Sequence, residues 1–197
     1  RQMCIRDSDD SGTKISLQSP ATRIIAMSPD LTEVVFELGA GPNLIGTDEY
    51  SNHPPEARAI TRVNSSSTAN FELILSLEPD FILAWKTGNG PRVISRLRDL
   101  GLPVFVVETK RVMDVPALYR RLGPLFGQTL LAKQKAKTFS SIKSKSLAIL
   151  SLAKDVIRSN SFSLPQAKKI LSPISALVFF INISRASFEK NLPTGPL

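Results

Sequence analysis

The chain has 197 residues, of which 42% are hydrophobic and 21% are charged, and its formal net charge is +8. This length suits one domain, or one domain and part of another, and it excludes a large multidomain protein. The apolar fraction is large enough for a buried core, so the chain is not disordered as a whole. Because the basic excess is densest in the last quarter of the chain, we expect no nucleic-acid partner. The single cysteine, Cys4, excludes an intramolecular disulfide.

The first 128 residues divide into a tail and an α/β lobe. Residues 1–19 are polar and aperiodic, which predicts a disordered tail. In residues 20–128, short apolar runs alternate with helical periodicity, as in βαβ units. The pattern predicts a Rossmann-like lobe with a mostly parallel sheet flanked by helices. Strands are predicted at 24–27, 44–46, 81–85 and 104–107, helices begin near 29, 70, 90 and 114, and residues 50–68 are predicted to form a surface loop.

The remainder of the chain has a different pattern. Residues 129–157 contain no Gly or Pro and place Leu, Ala and Phe on one face, which predicts one long helix. Residues 158–197 are rich in Ser and show no regular alternation of elements, apart from one predicted strand at 178–183. We interpret this last segment as a remnant or an aberrant C-terminal segment.

No catalytic, metal-binding or cofactor-binding constellation is predicted. Gly41 and Gly46 have the spacing of a phosphate-binding loop, but Thr47 and Asp48 follow where Lys and Ser or Thr are required. Helix capping is the better explanation of the nearby glycines. The one histidine, His53, lies in a polar loop without a cluster of metal ligands, so we expect it to be solvated.

Two aromatic residues follow predicted strands and are candidates for ligand binding. Tyr50 comes shortly after the second strand, and Trp85 ends the third. Ligands of open α/β sheets bind outside the carboxyl ends of the strands, so a planar ligand has a place to stack on these rings. A tryptophan packed into the core at a strand end explains Trp85 equally well.

The order of several short motifs resembles a known family. The chain is similar to the cobalamin branch of the class III (iron-siderophore and cobalamin) periplasmic binding proteins of ABC importers, from about residue 23 to residue 145. The motifs are RIIAMSP at 23–29, LGAG at 38–41, YS at 50–51, NFE at 70–72, LEPD at 77–80, AW at 84–85 and GN at 88–89.

The resemblance implies a monomeric capture protein without catalysis and without a cofactor of its own. Two α/β lobes, joined by the long helix, would hold a corrinoid such as vitamin B12 and deliver it to an ABC importer permease in the inner membrane. The protein would be periplasmic or lipid-anchored on the outer face of that membrane. The resemblance assigns Tyr50, Trp85, Ser66 and Asn89 to ligand binding and Glu72 to docking on the permease.

Two departures from the family pattern leave alternatives open. Ser65, Ser66 and Ser67 stand where the cobalamin binders carry a second cleft tryptophan, so a different corrinoid, a siderophore or haem stays open as the ligand. Residues 158–197 do not resemble the second lobe, which we therefore expect to be truncated or corrupted.

Two alternatives from other classes are also open. One is a Rossmann-like enzyme acting on a sugar or a nucleotide, which needs a Gly-rich loop after the first strand, where Ser28, Pro29 and Asp30 stand. The other is a protein-interaction module that keeps only the docking through Glu72.

Overall fold

The computed structural model describes residues 5–65 and 68–141, and all but the last of these belong to one compact unit that ends at Ser140. This unit contains a six-stranded sheet and a separate two-stranded sheet. No helix in the part of the chain that the structure describes is long and apolar enough to cross a membrane. The predicted C-terminal segment, residues 158–197, lies outside the described residues, as does the strand predicted at 178–183.

The elements follow one another largely in the predicted order. The strands are β1 Ile5–Ser8, β2 Lys14–Leu17, β3 Ile24–Ala26, β4 Leu44–Asp48, β5 Thr61–Ser65, β6 Thr68–Ala69, β7 Phe81–Trp85 and β8 Val104–Val107. The helices are α1 Pro29–Glu37, α2 Phe71–Ser76, α3 Lys86–Asp99, α4 Val115–Leu125 and α5, residues 129–141. Short 3-10 helices span Gly41–Asn43, Pro55–Ala59 and Val112–Asp114.

The six-stranded sheet is parallel except at one edge. Its strand order is β6-β5-β4-β3-β7-β8, and only β6 runs antiparallel to its neighbour. Within this sheet the chain begins at the central strand β3 and moves outward through β4 and β5 to the edge strand β6. It then returns to the other side of β3 and moves outward through β7 to β8. This reversal next to β3 is the topological switch point at which open α/β sheets bind ligands.

Helices cover both faces of this sheet, which confirms the predicted fold class. Ile24 and Ala26 of β3 point into a core that α1, α4 and α5 cover, whereas Ile25 and Met27 point into a second core that α2 and α3 cover. The same alternation runs along β7 and β8. Because a strand buried on both faces needs apolar residues at every position, β7 and β8 read as continuous apolar runs in the sequence.

The prediction of a disordered tail over residues 1–19 is wrong for residues 5–19, and residues 1–4 lie outside the described residues. β1 and β2 form an antiparallel hairpin in which Ile5 pairs with Leu17 and Ser8 pairs with Lys14. Ile15 is buried in the same core as α1 and α4. The polar composition that suggested disorder is the composition of the turn, where Gly12 adopts a φ of 84° that an L side chain rarely tolerates.

The hairpin turn is held against the outer edge of β8. Asp9 Oδ2 accepts a hydrogen bond from the backbone N–H of Val106 at 3.0 Å, and Asp10 N–H donates to the Val106 carbonyl at 2.9 Å. Glu108 N–H donates to Asp10 Oδ2 at 2.7 Å. These bonds use backbone groups that an exposed edge strand would otherwise present to other chains.

The predicted surface loop over residues 50–68 is only partly correct. Pro55–Ala59 forms a 3-10 helix, but Thr61–Ser65 forms β5, which pairs in parallel with β4 through Gly46 and Thr61 and through Asp48 and Asn64. Val63 is the only strongly apolar residue of this strand, so the sequence lacks the hydrophobic pattern of a buried strand. Pairing with β4, rather than local propensity, creates β5.

The long helix predicted over residues 129–157 is confirmed as far as the structure describes it. Residues 129–141 are helical, and Ala132 and Ala136 are fully buried against the core of α1 and α4. At Gly123 of α4, an added Cβ would lie 2.3 Å from the Cβ of Ala132, so glycine permits a close crossing of the two helices. Residues 142–157 lie outside the described residues.

Candidate functional site at the carboxyl edge of the sheet

The parallel strands all end at one edge of the sheet, which we call the carboxyl edge. Residues that follow β3, β4, β5, β7 and β8 meet there, on both sides of the switch point. Among them, Tyr50 follows β4, and Trp85 ends β7. Only β3 separates β4 from β7, and strands lie about 4.8 Å apart, so these two strands are about 10 Å apart. The two predicted aromatic residues therefore belong to the same edge.

Tyr50 is presented to solvent by a loop that is anchored from below. Its side chain is 59% exposed, which is unusual for a tyrosine on a packed domain. Its backbone N–H donates to Asp48 Oδ1 at 2.8 Å. Arg62 Nη1 donates to the carbonyls of Asp48 and Ser51 at 2.8 and 2.9 Å. The loop backbone is thus fixed while the phenol ring remains available to a ligand.

A buried cluster of hydroxyl groups lies beneath this loop. Thr32 Oγ1 is 3.0 Å from Thr47 Oγ1 and 3.0 Å from Ser51 Oγ, and it donates to the Ser28 carbonyl. Thr32, Thr47 and Ser51 are fully buried. Because a buried hydroxyl is costly without a partner, this cluster ties α1, β4 and the Tyr50 loop into one geometry.

Asp48 and Asn64 form a second buried polar pair at the ends of β4 and β5. Asn64 Nδ2 donates to Asp48 Oδ2 at 3.0 Å and to the Met27 carbonyl at 3.2 Å. Burial raises the pKa of Asp48, although hydrogen bonds from the Tyr50 N–H and Asn64 and the charge of Arg62 act in the opposite direction. Within residues 5–65 and 68–141, no donor reaches the buried Asn64 Oδ1.

Trp85 is both a core residue and an edge residue. Its indole is half-buried and packs against the core under α1 and α4. It also lies directly over Gly88, where an added Cβ would be 1.9 Å from Cε3 of the indole. The core packing of Trp85 is thus observed, whereas its contact with a ligand stays a prediction.

Asn89 is placed below the surface of the edge. It is 5% exposed, its Oδ1 accepts the backbone N–H of Trp85 at 2.7 Å, and its Nδ2 donates to the Met27 carbonyl at 2.9 Å. The side chain thereby joins the end of β7 to the end of β3 across the switch point. Both polar groups of Asn89 have partners within the lobe, and its assignment to ligand binding stays a prediction.

The other two predicted residues have different outcomes. Ser66 lies outside the described residues, so its assignment to ligand binding stays a prediction. Glu72 is exposed in the first turn of α2, the helix that Asn70 caps by accepting the Leu73 N–H at 3.0 Å. This exposure is compatible with the predicted docking role, which also stays a prediction.

The glycines near Gly41 serve packing and capping. Gly39 follows α1 with a φ of 71°, and an added Cβ at Gly41 would lie 2.4 Å from the ring of Phe36. The connection from β3 to α1 is Met27-Ser28, with Ser28 as the N-cap residue of α1, and it contains no glycine. The loop that the nucleotide-enzyme alternative requires is therefore absent from this connection.

The described residues hold no arrangement of metal ligands. His53 is exposed, as expected for a solvated loop histidine. Within the two described stretches, no group of three or more His, Cys, Asp or Glu side chains is placed to hold a metal ion.

Sequence reasoning missed the buried polar residues that support the edge. Asp48, Asn64 and Thr32 carry no motif of their own, and their shared location depends on which strands become neighbours. The local sequence carries no signal for Asn64, because Asn followed by serines is an ordinary composition for a surface loop.

Comparison with known proteins shows the family of this chain. Residues 24–154 match the profile of the family described as periplasmic binding protein. The vitamin B12-binding protein of Vibrio cholerae serotype O1 is 42% identical over 96 residues, which cover 49% of this chain and 35% of that protein. The vitamin B12-binding protein of Pectobacterium carotovorum is 35% identical over 117 residues, which cover 59% of this chain and 42% of that protein.

A solved structure supports the same assignment. The crystal structure of the periplasmic vitamin B12 binding protein of Vibrio cholerae superposes with a TM-score of 0.63 and 33% identity, over 67% of this chain and 52% of that one. The chain thus spans about a third to a half of the length of the relatives it matches. Because the family profile covers well over half of its residues, the chain belongs to the periplasmic binding protein family.

Proposed function

We propose that this chain forms the first lobe of a substrate-binding protein that captures a corrinoid and delivers it to an ABC importer. The observation that carries the proposal is the pair Tyr50 and Trp85 at the carboxyl ends of two strands separated only by β3, in a chain similar to vitamin B12-binding proteins. The lobe binds rather than transforms its ligand, and it acts as a monomer in the periplasm or on a lipid anchor.

The carboxyl edge suits a large planar ligand. The exposed ring of Tyr50 and the half-buried ring of Trp85 offer flat apolar surface, and rings of this kind stack on planar ligands with little loss of side-chain entropy. The buried polar groups below them hold the loops in place before the ligand arrives. Affinity then comes from stacking and apolar cover, and a few polar groups set the orientation.

Glu72 is the proposed contact with the permease. Its carboxylate is exposed near the start of α2, and an arginine of the permease is the natural counterpart of such a group. An exposed ion pair of this kind contributes about 0.5 to 1 kcal/mol. It therefore fixes the orientation of the docked lobe more than it raises the affinity for the permease.

Equilibrium dialysis tests the choice of ligand. The 197-residue chain is dialysed against cyanocobalamin and, in parallel, against a ferric siderophore and haemin. Selective retention of cyanocobalamin is the expected result. Selective retention of haemin or of the siderophore would mean that this compound, rather than a corrinoid, is the ligand. Retention of none of the three would contradict capture by this lobe.

Variants then test the site itself. Trp85→Ala removes a stacking surface and is expected to cost about 2 kcal/mol, which raises Kd about 30-fold. Leu130→Ala is the matched control, because Leu130 is an apolar side chain that is 82% exposed on α5. Equal affinity of the Trp85 variant and the control would remove Trp85 from the site.

The docking role of Glu72 has a separate test. A vitamin B12 importer in proteoliposomes is titrated with Glu72→Gln, and Glu56→Gln serves as the control because Glu56 is also exposed. We expect the Glu72 variant to associate about two- to fivefold more weakly, with the difference disappearing at high salt. A salt-independent difference, or none, would contradict an ion pair at Glu72.

A further inference from the structure

The turn that carries Trp85 is held from two sides. Trp85 ends β7, and residues 86–89 form the first turn of α3, which Gly90 interrupts with a φ of 74° and a ψ of 157°. On the inner side, Asn89 binds the Trp85 backbone to the central strand, as described above. The outer side of the turn faces the first residue after β8, which is Glu108.

Glu108 binds two consecutive residues of this turn with one carboxylate. Thr87 Oγ1 donates to Oε1 at 3.0 Å, and Lys86 Nζ lies 3.3 Å from Oε2. The hydrogen bond from Thr87, and then the contact and charge of Lys86, lower the pKa of Glu108, with the charge of Lys110 adding to the effect. The carboxylate is therefore ionised at neutral pH and able to hold both residues.

Glu108 is itself fixed by the N-terminal hairpin. Its backbone N–H donates to Asp10 Oδ2 at 2.7 Å, and Arg121 Nη1 donates to Asp10 Oδ1 at 2.7 Å. Lys86 Nζ also donates to the carbonyl of Asp10 at 3.3 Å. A continuous set of contacts thus runs from the hairpin through Glu108 to the turn beside Trp85.

The orientation of the indole depends on the backbone of this turn. The ring of Trp85 lies on Gly88 so closely that an added Cβ would reach within 1.9 Å of it. Gly88 and Gly90 restrict the backbone of this turn less than other residues would, so the turn depends on side-chain contacts for a single geometry. Surface ion pairs add little to stability, so the contacts of Glu108 matter chiefly for the geometry of the turn.

We propose that Glu108 is a positioning residue for Trp85 and that the N-terminal hairpin, through Asp10, is part of the ligand-binding apparatus. This inference rests on the proposed function, because it assigns Glu108 to the same ligand site. Without Glu108 the turn samples several arrangements. If the arrangement that can bind the ligand falls to about a fifth of the population, the apparent Kd for the ligand rises about fivefold.

The test uses the fact that Trp85 is the only tryptophan of the chain, so its fluorescence reports the turn alone. Glu108→Ala is compared with Glu37→Ala, which removes an exposed glutamate that is paired with Lys135 at the far end of α1. We expect Glu108→Ala to increase acrylamide quenching of Trp85 and to weaken cyanocobalamin binding about fivefold, with an unchanged urea midpoint. Glu37→Ala should change neither quenching nor binding.

Two further variants separate positioning from general damage. Glu108→Gln keeps an oxygen for Thr87 and should restore most of the native quenching. Thr87→Val should reproduce part of the Glu108→Ala effect, and the double variant should add nothing beyond Glu108→Ala, because both residues share one contact.

The outcomes distinguish this inference from the proposed function. Native quenching in Glu108→Ala would overturn the positioning role, whether or not the chain binds a corrinoid. Altered quenching with unchanged cyanocobalamin affinity would overturn the link between the turn and the ligand. Failure of the unmodified chain to bind cyanocobalamin would count against the proposed function, whereas quenching would still decide whether Glu108 positions Trp85.

Discussion

Replacement of Asp9 by Ala is expected to destabilise the lobe by about 3 kcal/mol. The carboxylate of Asp9 is fully buried and accepts five hydrogen bonds. Oδ1 accepts from Ser11 N–H, Ser11 Oγ and Thr13 N–H at 2.9, 2.7 and 2.8 Å, and Oδ2 accepts from Val106 N–H and Arg98 Nη2 at 3.0 and 2.6 Å. No other carboxylate among the described residues accepts as many.

The magnitude follows from the groups that the substitution leaves behind. Val106 is fully buried, so its N–H would lose its partner at a cost of about 1 to 3 kcal/mol. Breaking a buried ion pair costs about 3 to 5 kcal/mol, but the Arg98 side chain is 30% exposed and recovers part of that cost in water. A total near 3 kcal/mol is a large share of the roughly 5 to 15 kcal/mol that stabilises a domain.

Urea unfolding at neutral pH, followed by circular dichroism and Trp85 fluorescence, measures this loss. Asp7→Ala is the matched control, because Asp7 lies in the same hairpin and its ion pair with Arg121, at 3.5 Å, is partly exposed. The control should lose less than about 1 kcal/mol. Equal stability of the two variants would refute the view that Asp9 anchors the hairpin to β8.

The effect of Asp9 also depends on pH. Burial tends to raise the pKa of this carboxyl, but the hydrogen bonds from Ser11, Val106 and Thr13 outweigh burial and lower the pKa below its usual 3.8. The ionised form is therefore favoured in the folded state, and its contribution to stability is present above pH 3.8 and is lost as the pH falls through the folded pKa. The stability difference between the unmodified chain and Asp9→Ala should narrow below about pH 4.

Three other substitutions test separate parts of the fold. Gly123→Ala forces a methyl group against Ala132 at the crossing of α4 and α5, which should lower the free energy of unfolding in urea by about 1 to 3 kcal/mol. An unchanged urea midpoint would disprove the close crossing. Phe81→Ala empties a fully buried site beside two other aromatic rings, and calorimetry should show a loss of about 3 to 5 kcal/mol. Asn70→Ala removes the cap on the Leu73 N–H and should cost about 1 kcal/mol, with native stability as the contrary result.

Much of the lobe was predictable from local patterns. β7 and β8 occupy the predicted residues because continuous apolar runs of four or five residues require burial on both faces of a sheet. α1 and α4 begin at Pro29 and Val115, close to the predicted starts near residues 29 and 114. The aromatic candidates were also accessible, because a residue at the end of a parallel strand belongs to the carboxyl edge wherever the strand sits in the sheet.

The supporting contacts of the site were not predictable in this way. Asn89 was assigned to the ligand, yet its partner is the Met27 carbonyl, 62 residues away in the chain. Asp9 was placed in a disordered tail, yet it accepts a hydrogen bond from the N–H of Val106, 97 residues away. When a polar residue lies outside any hydrophobic pattern, the neighbouring sequence gives no indication of such a distant partner.

The sequence by itself determined the α/β class, the apolar strands and the aromatic residues at the strand ends, because each of these depends on a pattern within about ten neighbouring residues. Only the tertiary structure decided that the N-terminal hairpin closes the sheet at β8, that β5 is a strand, and that Asn64 and Asn89 converge on Met27. The reason is physical: hydrophobic burial is set by local periodicity, whereas a buried polar group takes its partner from whichever strand the fold brings beside it.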